Sequence, residues 1–200
     1  MLILSRTALF FGWAIQAIIV GVIVLMVLRL IADAMDLNPF GWASRTIRRL
    51  TDGLVVPVRG GLRNFGIDPK FAPLVAILLV ILLGFFILQL VDTIFFTIAG
   101  VWESTQRGAV VAVLGFILYG LISIYILLLI IRIVFSWGMV SYTNRIMRFL
   151  VDVTEPLLGP LRRMIPPLGW IDISPIVAFL ILWLFRAAIA GTLLRGAMTF

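Results

Sequence analysis

The sequence predicts an all-α membrane protein in which four transmembrane helices form two parallel repeats, each with an amphipathic interfacial helix in its loop. Composition is the first observation that points to this fold, because the 200 residues are 63% hydrophobic and only 12% charged. A soluble chain is usually about 45–50% apolar and about 25% charged. The chain has too few charges to cover a globule of this size with a polar surface, and we expect lipid to cover the rest.

The second observation is a set of four apolar runs, each long enough to cross a bilayer. About 20 residues of α-helix, rising about 1.5 Å each, match a hydrocarbon core of about 30 Å. The runs are residues 8–28, 73–91, 109–131 and 175–194, and Arg186 is the only charged residue inside them. The first run is longer than a signal-peptide core of about 7–15 residues and is followed by no small-residue cleavage site, so we interpret it as a retained span.

The distribution of basic residues predicts the orientation of the spans. Four spans place residues 29–72 and 132–174 on one side of the membrane, and these segments carry twelve of the sixteen Lys and Arg residues. Cytoplasmic loops of membrane proteins are enriched in Lys and Arg. We therefore expect both long loops to be cytoplasmic and both termini to be periplasmic. Basic residues near an anionic leaflet gain about 1 kcal/mol each, so the loops are also expected to bind anionic lipid headgroups.

A shift of 103 residues aligns the first half of the chain with the second, which predicts two repeats over residues 8–91 and 109–194. Two spans per repeat give both repeats the same orientation, with a pseudo-two-fold axis along the membrane normal. An inverted repeat, found in many alternating-access carriers, is not predicted. The first-half residues that align with a counterpart are Arg29, Thr51, Asp52, Pro57, Arg59, Asp68 and Pro73.

Each loop is expected to form a short amphipathic helix followed by a proline-rich return to the membrane. In the second loop, Ile146, Phe149, Leu150 and Val153 follow helical spacing, and Thr143 or Asn144 can cap the helix. Proline cannot continue this helix, so we expect it to end by about Glu155 and a second short helix to start at Pro160.

The first loop follows the same plan more loosely, starting at Asn38-Pro39. Its expected apolar face consists of Ala43, Ile47, Leu50 and Leu54.

Several polar residues lie at the start of the fourth span or within the membrane. Ser174 is expected to cap the fourth helix, with Pro175 as its first residue and Asp172 near its positive end.

Arg186 lies roughly 16–17 Å from Pro175 along the helix, where a lone charge is costly. We expect Arg186 to pair with Gln89 or Asp92, which is a structural role more than an ion path. Arg29 and Asp33, four residues apart, are expected to pair as well.

The chain contains neither cysteine nor histidine. Disulfides, Cys/His zinc sites, His-ligated haem and a Ser-His-Asp triad are therefore excluded. The loop acids have simpler roles as caps and ion-pair partners than as catalysts, so we expect no enzymatic activity, no metal and no cofactor. These acids are Asp52, Asp68, Asp152, Glu155 and Asp172.

Residues 132–178 resemble the YggT family of small bacterial and plastid membrane proteins. The first half of the chain looks like a second, degenerate copy that lacks the Ser-Trp, double-proline and Ser-Pro elements. The residues that carry the resemblance in the second half are Arg132, Ser136, Trp137, Asn144, Thr154, Glu155, Pro156, Pro160, Arg162, Arg163, Pro166, Pro167, Gly169, Asp172, Ser174 and Pro175.

The resemblance implies a multi-pass protein of the bacterial cell inner membrane, with links in the family to osmotic or envelope stress and, in plastids, to cytochrome maturation. We expect a non-enzymatic scaffold or assembly and stress-response factor that acts through its basic cytoplasmic loops. The alternative is a small oligomeric channel or transport-modulating protein in osmotic or cation homeostasis. Expected partners are the lipid bilayer, an unidentified membrane or cytoplasmic protein and further copies of the chain, but not nucleic acid.

Overall fold

A computed structural model describes residues 2–35, 41–64, 66–137, 143–165 and 172–195. Over these ranges the chain folds into helices without β-strands. In chain order they are α1 (Leu2–Ala34), α2 (Trp42–Asn64), a 3₁₀ turn (Pro69–Phe71), α3 (Ala72–Gln106), α4 (Val110–Trp137), α5 (Arg145–Met164) and α6 (Ser174–Thr192).

Four of these helices, α1, α3, α4 and α6, are long and apolar enough to cross a membrane. They coincide with the four apolar runs of the sequence, so the predicted all-α membrane fold is confirmed. The remaining two, α2 and α5, connect α1 to α3 and α4 to α6.

The second span is longer than its apolar run. Residues 92–108 were expected to form a connection, but α3 continues to Gln106 and turns into α4 within three residues. Asp92 does not end the helix, because the residues after it are apolar and pack on α4, with the ring of Phe96 5.2 Å from that of Phe116. Gly108 ends the helix with a φ of 68°, a left-handed conformation that favours glycine.

Helix α5 is continuous, and the expected break at Glu155 was wrong. The helix runs from Arg145 to Met164 with Pro156 and Pro160 inside it, and α2 similarly contains Pro57. Each proline removes only one N–H donor. Packing of one face, formed by buried residues such as Leu150 and Leu158, holds the helix together despite that loss. Its cap is as expected, since Asn144 accepts a hydrogen bond from the N–H of Ile146 at 2.8 Å.

The expected apolar faces of both loop helices also need correction. Ile146 and Phe149 are more than half exposed, whereas Met147, Leu150 and Leu158 are buried against the bundle. One face of α5 packs on the spans, and further apolar residues remain exposed. The predicted face combined the two, because it included the buried Leu150 together with the exposed Ile146 and Phe149.

The same correction applies to α2. Leu50 and Leu54 are exposed, and Thr51, Val55 and Val58 are buried instead. The start proposed at residues 38–39 and the side chain of Ala43 lie outside the described residues.

The helices pack as two groups of three, α1–α3 and α4–α6, joined mainly through α3 and α4. Buried core positions correspond between the groups: Met26 with Leu129 and Val55 with Leu158 after a shift of 103, and Ala76 with Ala178 after a shift of 102. A closed two-fold arrangement would repeat the α3–α4 contact between α6 and α1. Those two helices are not in contact over the part of the chain that is described, so the predicted two-fold axis is wrong for this arrangement.

Candidate functional site

A buried arginine joins each interfacial helix to its spanning helix. In the second half, Arg132 of α4 is 6% exposed. Its Nη1 donates a hydrogen bond to Oγ1 of Thr154 at 2.5 Å, and its Nη2 lies 2.6 Å from Oε2 of Glu155. The Thr154 hydroxyl in turn donates to the carbonyl of Leu150. This cluster satisfies a charge that would be costly to bury unpaired.

The first half contains the same arrangement. Arg29 of α1 is 4% exposed, and its Nη1 donates to Oγ1 of Thr51 at 2.7 Å and lies 2.8 Å from Oδ1 of Asp52. In each half the arginine and the threonine are 22 residues apart. Asp33 is a weaker partner of Arg29, at 3.8 Å, which agrees with the predicted pair.

The second cluster continues to the start of α6. Arg162 lies 3.1 Å from Oε1 of Glu155, and its Nε donates to Asp172 at 2.7 Å. Asp172 also accepts a hydrogen bond from the N–H of Ser174 at 2.9 Å. The predicted position of Asp172 at the helix start is therefore confirmed, but Ser174 is the first helical residue and not the cap. In the first half, Asp68 accepts from the N–H of Lys70 in the same way.

These contacts hold the carboxylates ionised. A hydrogen bond from Arg132 lowers the pKa of Glu155 below its ordinary value. For Asp172, burial raises the pKa, but hydrogen bonds from Arg162 and Ser174 outweigh burial and lower it overall. The backbone N–H of Lys70 is the main cause of the lowered pKa of Asp68. Carboxylates held in this way serve as ion-pair partners and are poorly suited to general acid–base work at neutral pH.

A cavity of about 500 Å³ lies between the two halves, at the end of the bundle that carries α2 and α5. Apolar residues of α2 and α3, including Leu62 and Leu79, form one wall. Ser136 and Pro175 line the opposite side, together with the Arg132, Arg162 and Asp172 network. The cavity was not foreseen from the sequence, because its walls come from segments that are far apart in the chain, such as those containing Leu62 and Pro175.

The same end of the molecule carries exposed cations without a partner among the described residues. Of the six acids at this end that the structure describes, five are paired: Asp33, Asp52, Asp68, Glu155 and Asp172. Asp152 is exposed and forms no ion pair with a described residue. The exposed arginines of α2 and α5 that form no described ion pair are Arg49, Arg63, Arg145, Arg148 and Arg163. We call these five residues the basic surface.

The polar residues within the spans are not brought together as expected. The guanidinium of Arg186 lies over the ring of Tyr119, 5.5 Å from its centroid, and not against Asp92 or Gln89. The reason is geometric, because α6 packs along α4, whereas Asp92 and Gln89 belong to α3. Asp92 is exposed and Gln89 is half-buried.

The other predicted site residues are spread over this end of the bundle. Pro73 is buried in the first turn of α3, and Arg59 is half-buried on α2. Pro166, Pro167, Gly169 and the side chain of Trp137 lie outside the described part of the chain. The role of the two threonines as hydroxyl partners of buried arginines was not predicted, although the equal Arg-to-Thr spacing in both halves was a signal for it.

Comparisons with known proteins agree with the motif in the second half. A family model described as CCB3/YggT matches residues 111–193. The chain is similar to the uncharacterized protein YggT of Escherichia coli K12, with 37% identity over 76 residues, which are 38% of this chain and 40% of that protein. The chain therefore spans about two fifths of the length of this relative.

Two further relatives show the same similarity. Uncharacterized protein ycf19 of Guillardia theta is 39% identical over 64 residues, or 32% of this chain and 70% of that protein. The chloroplastic YlmG homolog protein 2 of Arabidopsis thaliana is 38% identical over 71 residues, or 36% of this chain and 28% of that protein. No solved structure matches the chain.

Proposed function

The chain belongs to the CCB3/YggT family, and on that premise we propose that it is a non-enzymatic scaffold or assembly and stress-response factor of the bacterial inner membrane. In this proposal α2 and α5 lie along the cytoplasmic face and present the basic surface to an acidic protein partner. The observation that carries the proposal is the surplus of unpaired cations, among the described residues, on two helices that are otherwise fixed in place by buried ion pairs.

Rigid attachment of the interfacial helices supports a docking role. Arg132 and Arg29 each connect a spanning helix to an interfacial helix through two charge-assisted contacts of 2.8 Å or less. Such contacts are among the stronger hydrogen bonds in proteins. A surface held on a fixed helix loses little conformational entropy when a partner binds.

The charge balance of this surface favours an anionic partner. Among the described acids at this end, all but Asp152 are already engaged with other cations, as in the Arg48–Asp33 pair at 2.8 Å. Arg148 and Arg163 on α5 are exposed and have no described partner. Cationic surfaces steer acidic partners toward them and fix their register.

We also propose that the two halves are tandem copies of one unit. Support comes from the matching Arg–Thr–acid clusters and from buried positions that recur after 102 or 103 residues, such as Met26 and Leu129. The family model matches the second copy, and the first copy would have diverged in its proline and Ser-Trp elements.

Crosslinking from α5 tests the scaffold function. The chain lacks cysteine, so Asp152→Cys supplies a single exposed attachment site on the helix that carries Arg148 and Arg163. We expect a bifunctional maleimide reagent in native membranes to give a discrete adduct with one protein, identified by mass spectrometry. Neutralising Arg148 and Arg163 with Gln should reduce the adduct about tenfold, because each exposed ion pair contributes up to about 1 kcal/mol.

A control variant shows whether the loss of the adduct is specific to the arginines of α5. Arg195→Gln removes an exposed arginine at the opposite end of the bundle and should leave the adduct unchanged. Arg162 is unsuitable for neutralisation, because it belongs to the network with Glu155 and Asp172. An adduct that both sets of variants leave equally strong, or labelling of lipid alone, would refute a protein-docking role.

A channel or transport-modulating function is the second candidate, favoured by the cavity between the halves. It has weaker support, because Arg186, Gln89 and Asp92 do not converge on one path. Ion flux through purified protein in liposomes, under a cation gradient or osmotic tension, tests the channel function. Flux no greater than that of empty vesicles removes this function.

A further inference from the structure

Helix α1 carries a stripe of six residues, of which five are exposed and one, Ile23, is half-buried. The stripe consists of Leu9, Trp13, Gln16, Val20, Ile23 and Val27, spaced alternately by four and three residues. Leu9 is 62% exposed, Trp13 is 70% exposed and Val20 is 51% exposed. Spacing that averages 3.5 residues is the pattern by which two helices pack along their whole length.

A polar side chain lies in the middle of this stripe. Gln16 is ten residues after Arg6 and thirteen before Arg29, so it is about 15–20 Å from either charged end of the helix. Gln16 is exposed and forms no hydrogen bond with another described residue. Lipid offers no hydrogen bonds, so an amide at this depth is stable only against another polar group.

The corresponding face of α4 is already used for helix packing. After the shift of 103 residues, Trp13 and Gln16 correspond to Phe116 and Tyr119. Phe116 is fully buried, and its ring and that of Tyr119 lie 5.2 and 5.7 Å from Phe96 of α3. In α1 this face is left open, because α6 does not reach it over the described ranges. The stripe and Gln16 point to a partner helix even without this correspondence.

We propose that α1 pairs in parallel with α1 of a second copy, with a hydrogen bond between the amides of Gln16 and the partner's Gln16. All copies of the chain insert in one orientation, so a two-fold axis along the membrane normal places Gln16 at the same depth as the partner's Gln16. The stripe between Arg6 and Arg29 carries no charge, so its self-association brings no like charges together. A single polar residue within such a seam fixes the register of the two helices.

Single-cysteine crosslinking in native membranes tests this pairing. Val20 lies on the stripe, and Ile18 is a matched control that is 66% exposed but points to another side of the helix only two residues away. Copper phenanthroline should link Val20→Cys into a covalent dimer at a yield at least ten times that of Ile18→Cys. Equal yields at both positions indicate random collision, and no dimer at either position also overturns the proposal.

Substitution of Gln16 tests the polar contact in the Val20→Cys background. Gln16→Leu is more apolar and should insert normally, but it should reduce the dimer yield several-fold, whereas Gln16→Asn should retain most of it. A Gln16→Leu variant that dimerises as well as the parent shows that the amide contact is not formed. This experiment involves only α1, so its failure is distinct from failure of the protein capture at α5.

Discussion

The guanidinium of Arg132 donates a hydrogen bond to Oγ1 of Thr154, and this contact fixes the interfacial helix α5 to the spanning helix α4. Arg29 and Thr51 do the same for α2 and α1 across an identical separation of 22 residues. Each arginine is buried, so its charge depends on these partners and not on water. These two contacts, together with the buried apolar residues of α2 and α5, hold both basic helices on the bundle.

Arg132→Lys is expected to destabilise the protein although the charge is kept. A lysine ammonium cannot reach Thr154 and Glu155 together as the planar guanidinium does. The loss of one hydrogen bond to a charged group corresponds to about 1.5–3 kcal/mol in the free energy of unfolding. Unfolding by denaturant in detergent micelles measures this difference.

The exposed Arg163 is the control for this substitution. Arg163→Lys should change the free energy of unfolding by no more than about 0.5 kcal/mol, because surface substitutions away from specific contacts have small effects. Equal effects at Arg132 and Arg163 would contradict a structural role for the buried cluster.

Acid should remove the contribution of Glu155 to stability. Arg132 lowers the pKa of Glu155 in the folded protein below its ordinary value of 4.5. A lowered folded pKa stabilises the protein above pH 4.5, and this contribution disappears as the pH falls through the folded pKa. Glu155→Gln should therefore melt about 2–4 °C below the parent at pH 7, and the two melting curves should converge below pH 4.5. A constant gap in melting temperature down to pH 3 would contradict this assignment.

Gly100→Ala should loosen the α3–α4 hairpin. The ring of Phe116 lies directly where the new Cβ would be, and overfilling of a packed site costs about 1–3 kcal/mol. A Cβ on Gly53 of α2 would meet no atom within 4 Å, so Gly53→Ala should be neutral or stabilise the protein by about 0.4–1 kcal/mol. Thermal melting of both variants provides the comparison. If Gly100→Ala is as stable as Gly53→Ala, the close packing of Phe116 is wrong.

Pro156→Ala should strengthen α5. The substitution restores an N–H that can bond to the carbonyl of Asp152, and proline inside a helix is up to about 3 kcal/mol less favourable than alanine. Pro175 lies in the first turn of α6, where no such bond is lost, so Pro175→Ala should have little effect. Amide hydrogen exchange over residues 150–164 should slow in Pro156→Ala alone. Faster exchange there would mean that the proline is needed to align Arg162 with Asp172.

The presence and order of the four spans could be predicted from the sequence because long apolar runs indicate them, whereas the continuation of α3 to Gln106 could not. The cap at Asn144 and the position of Asp172 were also predictable, since both depend on neighbours within two residues. The continuity of α5 was not predictable. The helix continues through Pro156 because it packs against α4 and α6, and local helix propensity does not encode that packing.

The candidate site was predictable only in part. The matching Arg and Thr-acid positions were found by aligning the halves, but their direct contact depends on how α4 and α5 cross. The contact of Arg186 with Tyr119 was missed because the sequence does not say which helix neighbours α6. The cavity between the halves was missed for the same reason.

We propose that both interfacial helices lie on the cytoplasmic side of one membrane. Single cysteines at Arg49 on α2, Arg163 on α5 and Gln106 at the α3–α4 turn, all exposed, can be labelled with a membrane-impermeant maleimide in intact spheroplasts. We predict that Gln106→Cys is labelled from outside, whereas Arg49→Cys and Arg163→Cys react only after the membrane is permeabilised. Labelling of Arg49→Cys or Arg163→Cys in intact spheroplasts would contradict the proposed arrangement.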